Sequence, residues 1–151
     1  MFTARTYCNL LATGLIAAGV AGCGQLRPSS TTDIYEATLT GAQQVPPVAT
    51  PATGTAEVQL NTTSNTISWK VTYTGLSGPV TGAHIHGPAV AGQNAGIVVP
   101  FTGNLNAQPL TGEQKLAPAQ VAQLTSGQWY VNIHTARHPG GEIRGQLRPR
   151  R

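Results

Sequence analysis

Short segments in which apolar and polar residues alternate recur along the chain. In TAEVQL (55–60), Ala56, Val58 and Leu60 fall on one side, and Thr55, Glu57 and Gln59 on the other. TISWKVTY (66–73) sets Ile67, Trp69, Val71 and Tyr73 against Thr66, Ser68, Lys70 and Thr72. IYEATLTG (34–41) alternates less strictly. QWYVNIHT (128–135) sends Trp129, Val131 and Ile133 one way and Tyr130, Asn132 and His134 the other. GEIRGQL (141–147) separates Ile143, Gly145 and Leu147 from Glu142, Arg144 and Gln146. A period of two is that of a β-strand, whose successive side chains point to opposite faces. GIVVPF (96–101) is apolar throughout and predicts a strand buried on both faces. Gly, Pro and Thr punctuate these segments. The pattern predicts an all-β chain: an antiparallel, Greek-key-like β-sandwich or small barrel. One short helix is predicted in APAQVAQLTSG (117–127), with Pro118 near its start, Val121 and Leu124 three apart, and Gly127 as its stop. It is expected to pack over one end of the sheet and to feed the strand that carries His134. No tandem repeat is evident.

The 151 residues suffice for one domain with a modest core, but its N-terminal part has another character. Residues 1–9 carry Arg5 and no acid, and LLATGLIAAGVAG (10–22) follows as an apolar run of signal-peptide length. Val20-Ala21-Gly22-Cys23 resembles a bacterial lipobox. The expected organisation is a lipoprotein signal peptide (1–22), a flexible tether after a lipidated Cys23 (23–33), a folded domain (34–147) and a basic tail (148–151). An ordinary signal peptide or a short membrane anchor is the alternative. The expected location is the cell envelope, lipid-anchored and facing periplasm or surface. Gly24 stands where an aspartate would retain the protein at the inner membrane, which favours the outer one. The mature chain would then hold no thiol, so any metal would be held by nitrogen or oxygen. The net charge is +4, and Arg148, Arg150 and Arg151 crowd the tail. Apart from that tail there is no basic stripe, which argues against nucleic-acid binding.

Candidate chemistry lies in the four histidines, which fall in two clusters. In GAHIHGPA (82–89), His84 and His86 share one face of a strand while Ile85 faces the other, and Gly82 and Gly87 leave room around them. His134 is on the polar face of its own strand, and His138 follows in a turn closed by Pro139-Gly140-Gly141. One reading is a histidine-only metal site with ligands His84, His86 and His134 and His138 as an optional fourth. Imidazole suits copper and zinc; the Irving–Williams order favours Cu(II), with Zn(II) as the second choice. Glu142 could accept the spare N–H of a ligand histidine, and Arg144 lies on the same strand face. The other reading is that the histidines form local hydrogen bonds and hold the turns. No glycine-rich phosphate loop, paired acids or nucleophile elbow is found.

LTGAQQVPPVATPATGTAEVQL, LSGPVTGAHIHGPAVAGQNAGIVVPF and LTSGQWYVNIHTARHPGGEIRGQL resemble, in order and spacing, the three blocks of the CHRD domain, named for chordin and found in many bacterial secreted proteins. The resemblance spans roughly 34–147. It implies an extracytoplasmic β-sandwich module with no well-defined enzymatic activity. His84, His86 and His134 match its blocks, as do Pro88, Asn132, Thr135, Pro139, Gly141, Glu142, Arg144 and Gly145. Two positions depart: Gln44 stands where the family often has Glu, and His138 where it more often has another polar residue. A weaker likeness is to the copper half of copper-zinc superoxide dismutase, without its zinc loop or disulfide. The leading expectation is a lipid-anchored CHRD protein that binds copper. The alternatives are a non-catalytic module that docks another envelope protein and a dismutase-like enzyme. The balance leans away from an enzyme.

Overall fold

The computed structural model describes residues 31–151. The expected signal peptide and Cys23 lie outside the described residues. Among the described residues nine strands form in chain order: β1 (Thr32–Thr40), β2 (Thr53–Asn61), β3 (Thr66–Thr74), β4 (Val80–His86), β5 (Ile97–Pro100), β6 (Leu110–Lys115), β7 (Tyr130–Thr135), β8 (Ile143–Gln146) and β9 (Arg148–Pro149). A 3-10 turn, Gly41–Gln43, follows β1, and helix α1, Pro118–Thr125, precedes β7. The expected all-β fold is therefore what forms. The strands pair antiparallel in the order β5-β4-β7-β8-β1-β2-β3-β6, with β9 added beside β1.

Alternation in the sequence translates directly into burial in β1, β2 and β3. Their inward residues Leu39, Val58, Leu60, Ile67 and Val71 are fully buried, while the intervening Thr, Gln and Lys residues face out. Ile85, Val131, Ile133, Ile143 and Leu147 complete the core from β4, β7 and the β8 segment. Full burial of such a side chain is worth about 1.5–3 kcal/mol. The β2–β3 turn is made by Asn61, whose Oδ1 accepts the N–H groups of Thr63 and Ser64, and by Asn65 at φ 55°. Helix α1 starts on Pro118, drives Leu124 into the core and ends at Gly127 with φ 69°.

The sheet curls until its ends approach. Trp69 of β3 stacks on Phe101, just beyond β5, with centroids 4.8 Å apart. This contact is possible because Gly112 of β6, opposite Trp69, has no side chain; a Cβ there would lie 2.3 Å from the indole. Across the barrel, Gly145 lets β8 cross close to β1, since a Cβ would stand 2.5 Å from the Thr38 carbonyl oxygen.

Some expectations are not met. GIVVPF is not buried on both faces: Ile97 is 55% exposed, and only Val99 and Phe101 are buried. β5 is an edge strand, where Pro100 leaves no ladder N–H unmet. Strand β6 carries no strong alternation of apolar and polar residues, so the sequence pattern does not signal it. β1 takes in Thr32 and Asp33, assigned above to the tether. The C-terminal arginines are also engaged: β9 pairs with β1, and Arg150 bridges Glu36 and Glu57. Among the described residues no helix is long and apolar enough to cross a membrane.

The polar faces of β7 and β8 are covered. Segments 41–52 and 87–96 fold over them. Gln44 donates to Asn132 Oδ1 at 2.7 Å, Asn94 accepts from Arg144, and Gln146 donates to the Ala89 carbonyl. Asn132, Glu142, Arg144 and Gln146 are consequently all buried. The molecule has an apolar core on one side of these strands and a hydrogen-bonded polar layer on the other.

Candidate metal centre

The two histidine segments meet because β4 and β7 are neighbours. In their register, Gly82 is opposite His134, His84 opposite Asn132, and His86 opposite Tyr130. His84 and His134 are thus diagonal neighbours on one face. Diagonal pairs are within reach for ring side chains. Gly82 provides the room: a Cβ there would stand 3.0 Å from His84 Cε1 and 3.7 Å from His134 Cδ2. Register shifts on either side of the pair, at Val80/Gly82 toward β7 and at Ile85/His86 toward β5, mark irregular pairing of the kind found beside functional sites.

One nitrogen of each of His84, His86 and His134 lies within 4.8 Å of the others. His84 Nδ1 and His134 Nε2 are 3.2 Å apart. Two imidazole nitrogens bound to one ion at about 2.0 Å stand roughly 3 Å apart, so this pair has a chelating separation. His86 Nδ1 lies 3.0 Å from the Ala95 carbonyl oxygen, and His134 Nδ1 lies 2.9 Å from that of Pro139. A carbonyl can only accept, so both Nδ1 atoms carry the proton and both Nε2 atoms keep a lone pair. His86 Nε2 is buried and has no hydrogen-bond partner among the described residues. A metal-binding histidine commonly spends its second nitrogen this way. Without an ion, His84 Nδ1–H donates to His134 Nε2; to offer both lone pairs to one ion, His84 must carry its proton on Nε2.

Burial, then the neighbouring His134 and His86, lowers the His84 pKa to about 4. His86 is also lowered, chiefly by burial, with its bond to the Ala95 carbonyl opposing the shift. Both rings are neutral at neutral pH. His86 stacks on Tyr130, centroids 5.0 Å apart and planes within 5°, and the Arg144 guanidinium carbon sits 3.4 Å from the Tyr130 ring centroid. Tyr130 Oη accepts from Ala95 N at 3.0 Å, steadying the carbonyl that orients His86.

His138 is not brought into this group. Its backbone closes the turn after β7, exchanging hydrogen bonds with Thr135 and accepting from Gly141 N. Glu142 touches no histidine either. Its carboxylate accepts from Thr50 Oγ1, Ser77 N, Ser77 Oγ and Thr135 Oγ1 at 2.7–2.9 Å. Burial by itself would raise its pKa; the donors from Ser77, Thr135 and Thr50 outweigh this and hold it below the usual carboxylate range. The role expected for Glu142 beside a ligand is filled by two main-chain carbonyls, which no side-chain motif can reveal. Arg144 does border the site, through Tyr130. Tyr130 carries no sequence signal beyond its place on the polar face of its strand; only its register opposite His86 reveals the contact.

Fold and site together define a nearly closed antiparallel β-barrel with a three-imidazole cluster on its outer face. The sequence model of the CHRD domain matches residues 35–147, and the chain belongs to the CHRD domain family. No curated protein and no solved structure matches the chain.

Proposed function

We propose that this CHRD domain binds a single copper ion through His84 Nδ1, His86 Nε2 and His134 Nε2, and that it does so in the cell envelope, anchored by a lipid on Cys23. The observation that supports the metal reading best is the gathering of three imidazole nitrogens within 4.8 Å, with the opposite nitrogens of His86 and His134 spent on carbonyls. Three neutral imidazoles without thiolate or carboxylate favour Cu(II) over Zn(II), and bind Ca(II) or Mg(II) hardly at all. Calorimetric Cu(II) titration of the purified protein tests this. One equivalent should bind, and His84→Ala/His86→Ala should lose most of the affinity. Equal affinity in that variant would sink the proposal. The anchor is supported by the sequence of residues 10–23. Mass spectrometry of membrane fractions should find acylated Cys23 at the mature N-terminus, and a soluble species starting elsewhere would refute it.

One observation favours a second reading. The 3.2 Å contact of His84 with His134 is itself a hydrogen bond. If no metal binds, the cluster is a structural brace, and the domain is a non-catalytic module that docks another envelope protein.

A further inference from the structure

A cleft of about 320 Å³ opens between segment 42–47 and residues Ala91 and Gly92, on the far side of the polar layer from the core. Arg144 and Gln146 form its floor. They are two residues apart on β8 and so share one strand face. Arg144 is 2% exposed, yet it has no carboxylate partner; the ion pairs among the described residues are those of Arg150. Its described hydrogen bonds run to Asn94 Oδ1 and the Gln93 carbonyl, using two donors. A guanidinium carries five N–H donors, so donors remain beyond these two, and its carbon lies 3.4 Å from the Tyr130 ring centroid. Gln146 is 8% exposed; its amide nitrogen donates to the Ala89 and Gly127 carbonyls, and its Oε1 is buried with no partner. No acidic side chain lines the cleft, and Ala42, Val45 and Pro47 provide apolar wall.

A buried guanidinium without a carboxylate and a buried acceptor without a donor each carry a desolvation cost, and a ligand that satisfies both offsets it. We propose that this cleft binds a small hydroxycarboxylate, its carboxylate taken by Arg144 and its hydroxyl donating to Gln146 Oε1. An ammonium donor would meet the guanidinium charge, which is why a hydroxyl is the fitting donor. The volume is at the small end of ligand pockets, and a small acid would occupy part of it.

The test uses chelator-treated, isotope-labelled protein and glycolate as the probe, followed by NMR of the Arg144 Nε–H and Gln146 side-chain amide signals. Glycolate should shift both saturably. Acetate, which lacks the hydroxyl, should bind about 5-fold more weakly. Methyl glycolate, which lacks the charge, should bind weaker by at least about 10-fold. Arg144 also holds the 93–94 segment, so its replacement could disturb the fold. Ala42→Trp, which fills the cleft from its exposed rim, should abolish the response and leave the remaining spectrum intact. The assignment is overturned by a response that never saturates at high millimolar glycolate, by one confined to Arg148, Arg150 and Arg151, or by one that persists in Ala42→Trp. Equal affinity for acetate and glycolate would remove the hydroxyl from the assignment and overturn it in that form.

Discussion

At the residue scale, the histidines illustrate how burial sets a proton affinity. The folded His84 pKa of about 4 is below the ordinary value of 6.5. The unfolded chain therefore takes up its proton first, and stability tied to neutral His84 is complete above pH 6.5 and lost as pH falls toward about 4. His86 is shifted in the same direction and adds to the effect. Thermal melts of the metal-free protein should show Tm falling across that window, and the fall should be shallower in His84→Gln. A Tm that is flat between pH 6.5 and 4 would show that the imidazoles are not held neutral by the fold. The same shift moves proton competition for copper below the free-imidazole range, so copper should be retained to lower pH than on an exposed histidine pair.

At the scale of elements, Glu142 ties three segments together. It joins the start of the β8 segment to Thr50 after the 3-10 turn, to Ser77 before β4 and to Thr135 at the end of β7. A neutral amide in its place cannot accept all four donors. Glu142→Gln should cost about 2 kcal/mol of stability in urea denaturation, with the unfolding slope unchanged. Copper affinity at the histidines should change little, because their orienting acceptors are the Ala95 and Pro139 carbonyls. A large loss of copper affinity with normal stability would instead place Glu142 in the site. The alternation of β1–β3, β7 and β8 was legible because side-chain period follows from backbone geometry alone. β5 misled because an edge position is a property of the sheet; a continuous apolar run cannot signal it.

At the scale of the whole molecule, the seam between the two ends of the sheet is closed by side chains, since the edges β5 and β6 are not paired with each other. The Trp69–Phe101 stack fills it. Phe101→Ala should cost about 3–4 kcal/mol in stability and raise hydrogen exchange in β3 and β6 before the rest of the barrel. A uniform rise across all strands would mean that the seam is not a separate unit. The tail bridge of Arg150 with Glu36 and Glu57 is exposed, so Arg150→Ala should lower Tm only slightly, and less at high salt.

From the sequence alone came the strand faces, the core residues Ile85, Val131, Ile133 and Ile143, the helix with its Pro118 start and Gly127 stop, and the shared face of His84 and His86. These depend on spacing within one segment, which local backbone geometry determines. The pairing of β4 with β7, the vacancy over Gly82 that admits two imidazoles, and the exclusion of His138 from the cluster depend on register between segments some fifty residues apart. The roof of residues 41–52 and 87–96 is likewise a tertiary outcome. It makes Asn132, Glu142, Arg144 and Gln146 a buried polar layer, which the sequence does not reveal because a polar residue reads the same whether water or a carbonyl satisfies it.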